Sequence, residues 1–145
     1  MTTTVLSIKS MDYAFSKSSS PILSIPEWQL ESGERVFLHG DSGSGKTTLL
    51  NLLCGILLPQ KGSITVLDSN LTTMKQRDRD RFRAQNIGVV FQRFNLIPYL
   101  SVAKNIELAA YFAGKSQQLN NSTLIERAQS LCGSLKLPKD TFSSI

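Results

Sequence analysis

The stretch Gly40-Asp-Ser-Gly-Ser-Gly-Lys-Thr47 constrains this chain more than any other feature. It sets two glycines, a lysine and a threonine at the spacing of a phosphate-binding loop. Such a loop works between a strand and a helix, and the sequence supplies both. Arg35-Val-Phe-Leu-His39 is a compact apolar run bounded by turns. Thr47 to Cys54 carries a helical pattern stopped by Gly55 and Pro59. Gly40, Gly43 and Gly45 permit the close backbone approach that side chains would block. Backbone N–H groups from about Ser42 through Ser44 to Lys46 then converge on phosphate oxygens. The helix start at Lys46 and Thr47 adds unpaired donors and its positive end. The Lys46 ammonium is expected against the outer phosphates, the Thr47 hydroxyl on Mg²⁺ and the Thr48 hydroxyl on the inner phosphate. A plain glycine-rich turn needs neither lysine nor threonine at these offsets.

The chain has 145 residues and 41% hydrophobic content, enough for one sizeable core. No apolar run is long enough to span a membrane, and the N-terminus lacks the pattern of a signal peptide. Cys54 and Cys132 match no metal spacing, which fits a reduced cytosolic compartment. Residues 5–15 alternate loosely and predict an edge strand, as does Ile22 to Leu30 with Pro26 inside it. Gly62 to Leu67 predicts a strand with Ile64 and Val66 on one face, and Ile87 to Phe91 a buried strand. Leu71 to Gln85 predicts a charged surface helix or two short ones. Helices follow at Val102 to Phe112 and Leu124 to Leu135, the latter with Thr123 and Glu126 as a capping box. His39 is expected to pack or hydrogen-bond locally.

The formal net charge is +5. Its densest part, residues 75–83, alternates in sign and predicts a solvated helix face with local ion pairing. Around it there is no aromatic and basic interleaving of the single-strand-binding kind, so nucleic acid is not expected as a partner. A phosphate loop does not choose the reaction. An adenylate-kinase-like enzyme would place arginines around the transferred phosphoryl, and a GTPase wants an Asn-Lys-x-Asp element that the chain lacks.

With GDSGSGKTTLLNLLCGILLPQKGSITVLDSNL followed by IGVVFQRFNLIPYLSVAKNIELAAYFAG, the chain resembles the ATP-binding subunits of ABC transporters. Within that family it is most similar to subunits driving lipoprotein release and macrolide-type efflux. The resemblance runs from about Val5 to Leu137. It implies an α/β fold of the P-loop ABC ATPase type. N-terminal antiparallel strands and a partial parallel core sheet with helices are expected, with the C-terminal half missing. Residues 1–145 form a partial nucleotide-binding domain in this reading. It contains the phosphate loop at 40–48, a glutamine loop at 92–98 and a partial helical region at about 99–137. ATP and Mg²⁺ are the implied cofactors. Phe15 matches the aromatic that stacks on adenine, with Tyr13 as the alternate. Gln92 matches the glutamine that reaches Mg²⁺ and the attacking water and senses the membrane partner. Arg93, Phe94, Asn95, Leu96 and Pro98 lie where the family docks a transmembrane permease, so Gln92 to Leu100 is the implied contact. Phe94, Leu96, Ile97 and Leu100 serve equally as core or as a groove for a partner helix. The second implied partner is another ATP-binding subunit in a head-to-tail dimer, on the cytoplasmic face of the inner membrane.

The family pattern continues with a Leu-Ser-Gly-Gly-Gln signature, a strand ending in aspartate and the catalytic glutamate, and a switch histidine. None occurs within these 145 residues. Glu107 and Glu126 lie in helices on the wrong side of the pattern. The polypeptide alone is therefore expected to bind Mg-ATP weakly or not at all and not to hydrolyse it. Its core sheet would lack strands and leave apolar surface open. The alternative is a non-hydrolytic nucleotide-binding or regulatory module, or a non-functional remnant.

Overall fold

The computed structural model describes residues 3–16, 20–91, 95–114 and 121–138. The chain divides into two compact units, Met1–Asp80 and Arg81–Ile145.

The first unit is built on a sheet. Strands β1 (Thr4–Tyr13), β2 (Leu23–Glu31), β3 (Lys61–Val66) and β4 (Ser69–Asn70) lie in the order β2-β1-β3-β4. Every pairing is antiparallel. Helix α1 (Lys46–Leu53) falls between β2 and β3 in the chain. The sequence reading made β1 an edge strand, but it has hydrogen-bonded neighbours on both sides. Its loose alternation has a cause. Leu6 and Ile8 are buried at even positions, Met11 and Tyr13 at odd ones. Between them Ser10 takes φ 48°, and the register with β3 shifts by one residue. A bulge of this kind flips the buried parity. Strand β2 is an edge strand, where Pro26 is tolerated. Leu67 and Asp68 both have positive φ and turn β3 into β4, as a two-residue hairpin requires.

Ile8, Met11, Leu52, Ile64 and Leu71 are fully buried and form the heart of the core. Each such side chain contributes about 1.5–3 kcal/mol. Helix α1 ends in a Schellman motif: Ile56 N–H donates to Asn51 O and Gly55 N–H to Leu52 O, both at 2.9 Å.

Helix α2 (Gln76–Asn86) carries the charged run. Most of it is exposed as the alternating signs predict, but Arg79 is buried at 8% exposure. Its Nε donates to Gly55 O at 2.7 Å and its Nη1 to Met74 O at 3.0 Å. The guanidinium thus ties the end of α1 to the segment entering α2. Arg79→Ala is expected to lower the unfolding free energy by about 3 kcal/mol, because charged hydrogen bonds are lost and a buried carbonyl is stranded. Arg79→Lys should recover less than half of that, since an ammonium cannot reproduce the planar fork. Urea unfolding of the three chains measures both; a cost near zero for alanine would refute the tie.

The second unit is helical in its described part. Helix α3 (Val102–Phe112) has Ser101 as N-cap, its Oγ accepting from Lys104 N–H at 3.3 Å. Helix α4 (Asn121–Ser134) begins before Thr123, so Thr123 and Glu126 do not form the expected capping box. Ala128 is buried, while Leu131 and Leu135 are exposed. Among the described residues no helix is long and apolar enough to cross a membrane.

The main departure from expectation lies at residues 35–39 and 87–91. Neither segment joins the sheet. Phe37 is 87% and Val90 100% exposed, and Val36 and Phe91 are also on the surface. A strand exists only as part of a ladder, and parallel strands need cover on both faces. Among the described residues neither segment has a partner strand, so the expected parallel core sheet is not formed as a ladder.

Candidate functional site

The glycine-rich loop delivers the chain directly into α1. Gly45 is the N-cap, at φ 91° and ψ 6°. Only glycine suits it: the backbone is left-handed, and a Cβ would sit 2.9 Å from Leu23 Cδ2. Leu23 in turn pairs with Tyr13 across β1 and β2. The ends of these two strands are therefore packed against the loop's exit.

The helix start is rich in free donors. No side chain caps it, and no acidic residue lies in its first turn. The first intrahelical bond is Leu49 N–H to Gly45 O at 2.8 Å, so the N–H groups of Lys46, Thr47 and Thr48 have no intrahelical acceptor. An anion placed there meets open donors and the positive helix end without a competing carboxylate. Buried Leu49 and Leu52 anchor α1, while Ser42, Ser44 and Thr47 are exposed.

Lys46 bends back over the loop. Its Nζ donates to Gly40 O and Asp41 O, each at 2.6 Å, with Ser44 Oγ at 3.4 Å. The ammonium thus sits among oxygen acceptors at the mouth of the loop. These groups fit a polyphosphate: backbone donors, an uncapped helix end and one point charge. The exposed Thr47 hydroxyl at the helix start is an oxygen ligand of the kind Mg²⁺ takes. Among the described residues no cluster of three or more His, Cys, Asp or Glu could hold a metal. A cation here would be held by the Thr47 hydroxyl and by phosphate oxygens rather than by a protein cage.

Phe15 lies just beyond β1 and is 72% exposed. Tyr13, the alternate, is 6% exposed, so its ring faces are used by the core. The two rings meet edge to face, with centroids 5.6 Å apart at 82°. Gln92, Arg93 and Phe94 lie outside the described residues. Of the rest of that segment, Asn95, Leu96 and Pro98 are exposed, and Ile97 and Leu100 are half-buried. His39 is exposed, and its ring lies tilted against Phe37 with centroids 6.3 Å apart, a local contact without burial.

Two residues escaped the sequence reading. Asn105 of α3 accepts from Ile97 N–H at 2.8 Å and donates to the carbonyls of Ile97, Leu100 and Ser101 at 3.0–3.2 Å. It pins the turn in the second half of the 92–100 segment. Gln60 holds Ala14, between Tyr13 and Phe15. Neither has a sequence signal beyond a polar amide beside a turn.

The model of the ABC transporter family matches residues 23–144. An uncharacterized ABC transporter ATP-binding protein of Mycobacterium tuberculosis is 50% identical over 91 residues, covering 63% of this chain and 37% of that protein. The macrolide export ATP-binding/permease protein MacB of Campylobacter jejuni is 39% identical over 89 residues, covering 61% of this chain and 14% of MacB. The dimeric ATP-binding cassette MJ0796, bound to ADP and Pi, is similar at a TM-score of 0.80 and 26% identity, over 94% of this chain and 60% of that one. The chain thus spans well under half of either sequence relative. Its loop, its helix start and the family match over most of its length agree: the chain belongs to the ABC transporter family, as an ATP-binding component.

Proposed function

We propose that the 40–48 loop binds Mg-ATP for a transporter that powers export or lipoprotein release at the inner membrane. The observation that carries this reading is the Gly45–Lys46 junction, an uncapped helix start with an ammonium bent over the loop. Backbone donors from Ser42 to Lys46, with Thr48, hold the phosphates, and Lys46 neutralises the outer ones. Thr47 and Gln92 are assigned to Mg²⁺, which when bound offsets charge on the β- and γ-phosphates. Exposed Phe15 stacks on adenine. The segment Gln92 to Leu100 meets a transmembrane permease, supported by the Asn105 bonds that fix its second half. A head-to-tail partner subunit is supported by the dimeric form of MJ0796. The export reading draws on the name of MacB. In this reading the protein works on the cytoplasmic face of the membrane.

The residues assigned here bind and orient; none is a base for water. The 145-residue chain is therefore expected to bind Mg-ATP weakly and saturably, with phosphate release no faster than in buffer. Equilibrium dialysis with labelled ATP and a phosphate-release assay test the two halves. Lys46-dependent phosphate release would overturn the hydrolytic half, and an absence of saturable binding the nucleotide half.

A further inference from the structure

The register of β3 with β1 ends at Lys61 opposite Asp12, with Gln60 N–H donating to Asp12 O at 2.9 Å. Past that point a side chain continues the ladder. Gln60 Oε1 accepts from Ala14 N–H at 2.6 Å, and Gln60 Nε2 donates to Ala14 O. A primary amide matched in this way to the N–H and C=O of one residue holds the two peptide units on either side of its Cα, here Tyr13–Ala14 and Ala14–Phe15. From the other side, Ile22 N–H donates to Tyr13 O at 2.7 Å. The next residue is Phe15, 72% exposed, whose ring stands nearly perpendicular to that of buried Tyr13. Tyr13 pairs with Leu23, and Leu23 lies against Gly45 at the phosphate loop. The main chain leading into an exposed aromatic is thus held on both edges of the strand, at the strand end that abuts the loop.

We propose that Gln60 is a positioning residue for the nucleotide base: its side-chain amide, locked onto the main-chain N–H and C=O of Ala14, holds Phe15 in the orientation that stacks adenine. This rests on the reading of Phe15 as the base-stacking aromatic. A ring fixed before binding loses less freedom when the base arrives, which strengthens binding only for ligands that carry a base. A strand cap with no such role would affect all ligands alike.

The test uses the 145-residue chain with two probes, Mg-ATP and Mg-tripolyphosphate. Gln60→Ala is expected to weaken ATP roughly three- to tenfold and to leave tripolyphosphate unchanged. Gln60→Met, which keeps the length and removes the amide, should behave the same. Phe15→Ala should lose roughly tenfold for ATP, and adding Gln60→Ala to it should cost nothing further. Equal loss for both probes, including loss through misfolding, would overturn the proposal. So would a Gln60→Ala chain that binds ATP normally while Phe15→Ala does not; the stacking reading would then survive. A Phe15→Ala chain that binds ATP as the parent does would overturn the stacking reading, and the proposal with it.

Discussion

Replacing Lys46 with alanine is expected to weaken ATP binding roughly 10- to 100-fold and to leave the fold intact. The expected loss is one charge-assisted contact to phosphate, about 1.5–3 kcal/mol, at 1.4 kcal/mol per decade. The stability effect is small for a structural reason. The bonds from Nζ to Gly40 O and Asp41 O are exposed, and water replaces them at little cost. Lys46→Arg should recover little, because a planar guanidinium does not fit where a compact ammonium reaches several oxygens. Lys104→Ala is the control. It removes the same formal charge from a surface pair with Glu107 in the other unit. Equilibrium dialysis at fixed ionic strength compares the three variants. Equal losses for Lys46→Ala and Lys104→Ala would reduce Lys46 to general attraction and sink the specific contact.

The phosphate loop was legible in sequence because its physics is local. Glycines at set offsets permit the backbone, and the helix starts at Lys46 as that spacing demands. Helix α3 was legible for the same reason: Val102 to Phe112 is one short helical stretch, and the structure adds Ser101 as its cap. The segments 35–39 and 87–91 failed because an apolar run shows that a segment seeks burial, not which neighbour buries it. With no ladder partner among the described residues, Val36, Phe37 and Val90 stay on the surface. Tyr13 and Phe15 look alike in sequence, two aromatics two residues apart. The end of β1 separates them, leaving one in the core and one open. Arg79 was hidden by its own neighbourhood. Alternating signs average to a solvated face, yet one of those arginines turns inward to two carbonyls.

Gly62→Ala is expected to cost about 4 kcal/mol or more, a size that marks a specific structural failure and a large part of a small domain's stability. Gly62 stands at φ 78°, opposite the bulge where Ser10 takes φ 48°. The bulge pushes the β1 main chain toward it. A Cβ on residue 62 would overlap the carbonyl oxygens of Lys9 and Ser10. These are backbone atoms, so no rotamer change relieves the overlap; β1 and β3 must separate. Separation exposes Ile8 and Ile64, which face each other across the pair, and draws Gln60 away from Ala14. Gly33→Ala is the matched comparison. Gly33 has a similar φ of 85°, but a Cβ there meets nothing within 4 Å. It should therefore cost only the left-handed backbone penalty, about 1–2 kcal/mol. The difference between the two variants isolates the collision from the dihedral strain, and urea unfolding of both measures it. Equal costs would mean that β1 yields at the bulge without loss. The close approach at Ser10 would then be adjustable rather than the contact that sets the register of the central strands.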